Sequence, residues 1–454
     1  MARPSTSVRS TSLRLLLGAL LAHQLLVLVA ADIKGGIISR KGTQFFDANG
    51  NPFLVHGCNF YWLMYQAADP SSRNLVDDVL EDAQRLGLNV GRTWAFADGG
   101  YRALQLSPGV YDETVFQALD YALVQARKHN MRLVLSLVNN YENYGGKPQY
   151  ALWGRQRGHH VPNDDAFYTH PVLRTWYKNH VKRVLTRVNT ISGIAYKDDP
   201  TIFAWELINE PRCETDPSGN TMAKWVKEMA AYVKSIDKKH MLEIGLEGFY
   251  GPKHGISRRW AYPFNTDNTG TDYIRLNKIA NIDYATVHSY PDLWLTSWNN
   301  PAKLIFLRIW TNIHIRDANK VLKMPILFGE FGKSNRVSGY EPVQRQEFFW
   351  TVYNSVYSSI ERGGGGVGSM LWQLLPKGME SWDDGFAVFA SDPATSNVIN
   401  SQTMRLATVS KALREARNAS SSTSGSARAR IRSKLESEPL SSSSSDTLPS
   451  TDFR

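Results

Sequence analysis

At 454 residues with 42% hydrophobic side chains, the chain can bury a large core, and an α/β barrel can absorb most of that length as one domain. The formal charge of +10 comes without a basic block interleaved with aromatics, so a nucleic-acid partner is excluded and the surplus reads as a solvated surface. The two cysteines, Cys58 and Cys213, show no metal-ligand spacing and fall on well-separated predicted strands, so two free thiols are expected.

Residues 1–31 carry scattered arginines, then Leu15 to Leu21 and Leu25 to Val29, then Ala30 and Ala31. That is the layout of a secretory signal. His23 and Gln24 break the apolar run below the roughly 20 residues of a membrane span. A small hairpin is expected over residues 37–54, turning at Asp47-Ala-Asn-Gly-Asn51 and plugging the amino-terminal end of a barrel.

An alternation of strands and helices follows. Strands are predicted at 53–62, 89–96, 132–140, 202–210, 240–247, 284–290, 325–332 and 368–374. Helical stripes lie between them: Val76, Val79, Leu80 and Ala83 stand at i, i+3, i+4 and i+7, with Gly87 as a stop. Similar stripes run through Val115–Ala126, Trp176–Val184 and Trp225–Ile236, then a short one at 272–279, and through 304–322, 341–360 and 401–416. Eight alternations predict a (β/α)8 barrel over residues 32–416 rather than a doubly wound sheet. The connections 141–171 and 248–271 are longer than barrel loops usually are, so they are expected to wall a groove. Residues 417–454 turn Ser-rich and apolar-poor, which predicts a disordered tail carrying the sequon Asn418-Ala-Ser420.

Chemistry concentrates at two strand ends. Ile202 to Ile208 is a short β-branched and aromatic run closed by Asn209-Glu210-Pro211, and Pro325-Ile-Leu-Phe-Gly-Glu330-Phe-Gly332 repeats the design. Pro211 cannot continue a ladder, so both glutamates sit at the carboxyl ends of parallel strands, where a barrel builds its site. Two such carboxylates facing one mouth are what glycoside cleavage requires. Trp205 and Glu206 read as the buried body of the strand. Glu247 divides evenly between a third site carboxylate and a partner for a basic neighbour. His159 and His160 read as surface residues, with a sugar contact as the alternative, and Asp383 and Asp384 as a solvated turn ahead of a substrate contact.

Gly91-Arg-Thr-Trp-Ala-Phe96, Leu135-Ser-Leu-Val-Asn-Asn140, Phe203 to Pro211, Gly245-Leu-Glu-Gly-Phe-Tyr-Gly251, Val287-His-Ser-Tyr-Pro291 and Phe328-Gly-Glu-Phe-Gly332 resemble, in order, the plant endo-β-1,4-mannanases of glycoside hydrolase family 5. The resemblance spans residues 38–410. It implies a retaining double displacement with Glu210 as acid/base and Glu330 as nucleophile. Arg92 would keep Glu330 ionised, Tyr290 would donate to the same carboxylate, and His288 would tune the acid. Asn209 would hold the sugar 2-hydroxyl, Trp372 would lie under the cleaved sugar, and Trp94 would wall its subsite. No metal or organic cofactor is implied. The expected partner is a mannan-type polysaccharide met by a secreted monomer in the cell wall, with no membrane partner once the leader is gone. Alternatives are a mannan transglycosylase, a related β-1,4-glucanase, or a silent barrel that only binds polysaccharide.

Overall fold

Eight short, fully buried parallel strands form the core of the molecule, a computed structural model that describes residues 33–251, 258 and 268–420. They are β1 (Val55–Asn59), β2 (Val90–Trp94), β3 (Arg132–Ser136), β4 (Ile202–Glu206), β5 (Met241–Glu243), β6 (Ala285–Ser289), β7 (Ile326–Phe331) and β8 (Gly366–Leu371). The ladder order is 5-4-3-2-1-8-7-6. The ends of that order meet at a sparser seam, where Asp283 N donates to Leu242 O at 2.8 Å and His288 N to Glu247 O at 3.0 Å. This is the expected (β/α)8 barrel, nearly closed.

Each predicted stripe forms a helix on the outside. The main ones are α1 (Asn74–Arg85), α2 (Glu113–Lys128), α3 (Pro171–Leu185), α4 (Asn220–Ile236), the short α5 (Tyr273–Asn277), α6 (Asn300–Asp317), α7 (Pro342–Glu361) and α8 (Pro393–Ser420). In α1 the residues Val76, Val79, Leu80 and Ala83 are the buried ones, as a 3.6-residue period requires. Helix α2 is capped by Asp112, which accepts from Thr114 N and Val115 N.

Several boundaries differ from expectation. The predicted first strand is shorter, because Pro52–Phe53 leaves it to join Ser39–Lys41 and Gln44–Phe46 in a three-stranded antiparallel sheet. There are therefore two turns where one hairpin was expected. This sheet does close the amino-terminal end: Phe45 is buried among Val55, Val90, Val134, Phe203 and Tyr284, with its ring 5.3 Å from Phe203 and 5.4 Å from Tyr284. Helix α8 starts earlier than its stripe and runs to Ser420, so the sequon begins in its last turn. The 141–171 connection holds two helices, Gly146–Gln156 and Ala166–Thr169. Most of the 248–271 connection, the leader 1–31 and the tail 421–454 lie outside the described residues. Both cysteines are buried and free.

Above the apolar plug the barrel interior turns polar. Val90 and Arg92 both point inward, as a period of two demands. Leu327 lies in the lower apolar layer and Glu330 in the polar one, an odd separation made possible by a register shift against β8 between Phe328 and Phe331.

Candidate active site

Arg92 stands at the centre of the polar layer, 1% exposed, and all five of its N–H groups are used. Nε and Nη2 donate to the two oxygens of Glu206 at 2.6 and 2.8 Å, and Nη2 also donates to Asn209 Oδ1 at 2.6 Å. Nη1 donates to Glu330 Oε1 at 2.5 Å and to Asn59 Oδ1 at 3.1 Å. One guanidinium thus links β1, β2, β4 and β7. Glu206 is more than strand body: it is the bidentate acceptor that aims Arg92.

The charge balance of this layer depends on a fourth carboxyl, Glu243. Its Oε2 accepts from Gly245 N and Thr286 Oγ1, each at 2.7 Å, while no donor faces Oε1. Burial and the adjacent charge of Glu206 push its pKa well above the carboxylate range, so Glu243 holds a proton and shares it with Glu206. Burial works against the charge of Glu206 as well, but Arg92 outweighs it and the pKa of Glu206 is lowered.

Glu330 accepts from Arg92 on one oxygen and from Tyr290 Oη on the other, at 2.7 Å. Glu210 follows β4 with φ of +48°, a left-handed conformation that a non-glycine residue holds only when its surroundings enforce it. They do: Glu210 N donates to Gly245 O at 2.9 Å and Asn209 N to Val138 O at 2.9 Å. A side chain at Gly245 would strike Ile208 O, its Cβ meeting that oxygen at 1.9 Å. His288 Nδ1 lies 2.6 Å from Glu210 Oε1 and 3.6 Å from Glu330 Oε2. Glu210, His288 and Glu330 each bring one ligating atom within 4.8 Å of the others.

Burial raises the pKa of both glutamates. At Glu330 this is opposed by His288, by Arg92 and by the Tyr290 hydroxyl. Arg92 can only donate, so Glu330 is arranged as an acceptor on both oxygens, and the spare proton belongs on the Glu210–His288 side. The three converging atoms could also cradle a cation, but a metal there would compete with Arg92 and Tyr290 for the oxygens of Glu330.

These groups open into a cleft of about 710 Å³ whose lining includes Tyr61, Trp94, Tyr141, Arg212, Glu247 and Trp372. The structure therefore brings all eight sequence-predicted site residues together. Trp372 is fixed by its indole Nε1, which donates to Asp384 Oδ2 at 2.7 Å. Trp94 is only 4% exposed and sits 4.8 Å from the Arg92 guanidinium, so it forms floor more than wall. Glu247 pairs with a basic neighbour: Arg212 donates to both its oxygens at 2.8 and 2.6 Å. Burial and the charge of Glu210 still push Glu247 up to about 7.

Tyr61, Tyr141 and Arg212 are cleft residues that sequence reasoning missed. Arg212 follows the Glu210-Pro211 pair directly, a signal that was present and unused. Asp383 keeps the expected turn role, accepting from Gly385 N and Ala387 N, whereas Asp384 faces the cleft. His159 packs near His170 and Trp176, away from the cleft. Trp205 is structural as read, its Nε1 donating to Asp237 at 2.8 Å.

Comparison with known proteins agrees with this geometry. A family model described as glycoside hydrolase family 5 β-mannosidase-like matches residues 36–401. Mannan endo-1,4-β-mannosidase 1 of Oryza sativa subsp. japonica is 51% identical over 85% of this chain and 89% of its own length. Mannan endo-1,4-β-mannosidase 7 of Arabidopsis thaliana is 49% identical over 83% and 87% respectively. Among solved structures, the hyperthermostable endo-1,4-β-D-mannanase of Thermotoga petrophila superposes with a TM-score of 0.68 at 30% identity, covering 78% of this chain and 99% of its own. The endo-1,4-β-mannanase of Rhizomucor miehei gives 0.70 at 27% identity, with 82% and 99% covered. The motifs at the strand ends, the eight-stranded barrel and these matches together make the chain a member of the β-mannosidase-like proteins of glycoside hydrolase family 5.

Proposed function

We propose that the protein is an endo-acting, retaining hydrolase of internal β-1,4-mannosidic bonds in mannan, galactomannan and glucomannan. The observation that carries this is the approach of one carboxylate oxygen of Glu210 and one of Glu330 to within 4.8 Å of each other. Retention needs carboxyls roughly 5–5.5 Å apart, whereas inversion needs about 6.5–9.5 Å to admit a water.

Glu330, held as an acceptor by Arg92 and Tyr290, attacks the anomeric carbon. Glu210 gives its proton to the leaving oxygen. The glycosyl ester formed on Glu330 removes a negative charge beside Glu210, which lowers the pKa of Glu210 and turns it into the base that activates water. His288 orients Glu210 through the 2.6 Å contact. Asn209, its amide oxygen tied to Arg92 and its nitrogen donating to Asn139 Oδ1 at 3.0 Å, is fixed to meet the sugar 2-hydroxyl. Trp372 offers a flat face to the apolar side of the pyranose. The mature enzyme acts outside the cell as a monomer, after loss of residues 1–31. Among the described residues no helix is long and apolar enough to cross a membrane.

The test is hydrolysis of galactomannan against carboxymethyl-cellulose by the purified mature chain, with and without an oligosaccharide acceptor. Release of reducing ends from galactomannan alone, with the β-anomer formed first, supports the reading. Cleavage of the cellulose derivative, dominant transfer to the acceptor, or an inverted first product would replace it.

A further inference from the structure

The amino-terminal end of the barrel, opposite the cleft, holds a buried cation without a carboxylate partner. Five arginines are buried among the described residues: Arg92, Arg127, Arg132, Arg187 and Arg345. Arg92, Arg127 and Arg187 each pair with a carboxylate, and Arg345 directs Nε, Nη1 and Nη2 at three backbone carbonyls. Arg132, the first residue of β3, does neither. Its Nη2 donates to Lys34 O at 2.7 Å and to Gly36 O at 3.1 Å, while its Nε meets no acceptor among the described residues. Burial pulls its pKa down to about 10, and only the charge of Asp47 opposes this. A buried charge in this state is costly, and an anion brought to it offsets that cost.

Arg132 lines a cavity of about 410 Å³ together with two exposed cations, Lys34 and Arg414, and with the amide and hydroxyl groups of Asn49, Asn130 and Ser410. Asp47 is the one acid of this lining, and its two oxygens accept from Asn51 N at 2.7 Å and Asn51 Nδ2 at 3.0 Å. A second cavity of about 420 Å³ shares Leu54, Asn89, Ser410 and Arg414 with the first and adds Lys411, Glu415 and His56. His56 is 2% exposed, and its Nε2 lies 3.3 Å from Ile399 O. A carbonyl can only accept, so Nε2 carries the ring proton and Nδ1 is an acceptor that meets no donor among the described residues. The adjoining cavities thus bring an unmatched donor and an unmatched acceptor together amid an excess of positive charge.

A bare oxyanion would answer Arg132 but not His56, and a neutral sugar would answer His56 but not Arg132. A sugar acid answers both, because its carboxylate accepts from guanidinium groups while its hydroxyls donate to an imidazole nitrogen. The amide and hydroxyl lining suits a polyhydroxylated ring, and either cavity is of a size that holds a small ligand.

We infer that this groove in the barrel floor binds a hexuronate sugar, with its carboxylate against Arg132, Lys34 and Arg414 and a hydroxyl donating to His56 Nδ1. The groove lies at the amino ends of β1, β2 and β3, so an acidic sugar chain held there leaves the catalytic cleft open. The bound acid also ties the segment that enters the plug, through Lys34, to helix α8, through Arg414.

Titration calorimetry of the full mature chain with digalacturonate tests this. Lys34→Ala and Arg414→Ala change exposed side chains, so each should melt with the wild type when no sugar is present, and each should weaken Kd about three- to tenfold. Digalacturonate roughly a hundredfold above Kd should raise the wild-type melting temperature by about 5 °C, and galactose at the same concentration should leave it unchanged. A Kd unaltered in the Lys34→Ala/Arg414→Ala double variant would overturn the proposal. Inorganic phosphate binding as tightly as digalacturonate would overturn the sugar acid as its ligand. Saturating digalacturonate should leave kcat and KM on galactomannan unchanged; competitive inhibition would put the acid in the cleft and overturn the floor site. The titrations decide the matter even in a chain that shows no turnover.

Discussion

Replacing Arg92 by lysine keeps the positive charge and removes the fork, so it separates a Coulombic role from a geometric one. Arg92 makes five donations to four residues inside the barrel, and a lysine ammonium has three protons. At least two acceptors on Asn59, Glu206, Asn209 and Glu330, all of them buried, must lose their partner. Each buried acceptor left unmade costs about 1–3 kcal/mol, so Arg92→Lys should lose about 2–6 kcal/mol of stability. For a chain this large, about 2 °C of melting temperature per kcal/mol gives a drop of roughly 4–12 °C. Turnover should fall further than stability implies, on the order of 10²-fold, because Glu330 and Asn209 are aimed by the lost donors. Thermal unfolding followed by circular dichroism, together with kcat on galactomannan below the melting range, measures both. A variant that melts with the wild type and keeps its kcat would show that charge alone suffices, and the network reasoning would fail.

Glu330→Ala should abolish double displacement, lowering kcat on polymer by about 10⁴-fold, and should also lower the melting temperature, because Arg92 Nη1 and Tyr290 Oη lose their buried acceptor; reducing-end release checks the first and calorimetry the second. Glu243→Gln should be nearly silent in both stability and activity, because an amide reproduces the protonated carboxyl, accepting from Gly245 and Thr286 and donating to Glu206. Glu206→Gln, which unpairs the Arg92 fork, should cost about 3–5 kcal/mol in denaturant titration. Burial alone would raise Asp237, but donations from His240 and Trp205 hold it down at about 2. Its folded value lies below its ordinary one, so its contribution of about 2 kcal/mol is present above pH ~4 and is lost as pH falls towards 2. Asp237→Asn should therefore flatten the acid limb of a stability–pH curve, and a limb identical to wild type would count against the assignment.

Much of the site could be read from the chain because it is carried by strand ends. Apolar runs closed by Asn209-Glu210-Pro211 and by Glu330-Phe331-Gly332 announce both the strand and its functional terminus. What escaped has a physical cause in each case. Glu206 reads as strand body because sequence does not show that its inward face meets Arg92, two strands away on the barrel. Glu243 gave no signal, since its proton depends on the proximity of Glu206. Tyr61 and Tyr141 sit on loops, whose path periodicity does not describe. The break in β7 register that turns Glu330 inward depends on pairing with β8 rather than on composition.

The plug at the other end of the barrel has a consequence for how the chain can be handled by proteases. Phe45 closes the floor from the strand Gln44–Phe46, the second of a sheet that begins only at Ser39, so the distance between the proposed leader cleavage site and an essential core side chain is short. Trimming that stops before Ile38 leaves the stopper seated. A cut that runs on through Phe45 uncorks the barrel from below, opening Phe203 and Tyr284 to solvent and inactivating the enzyme from the end farthest from its chemistry.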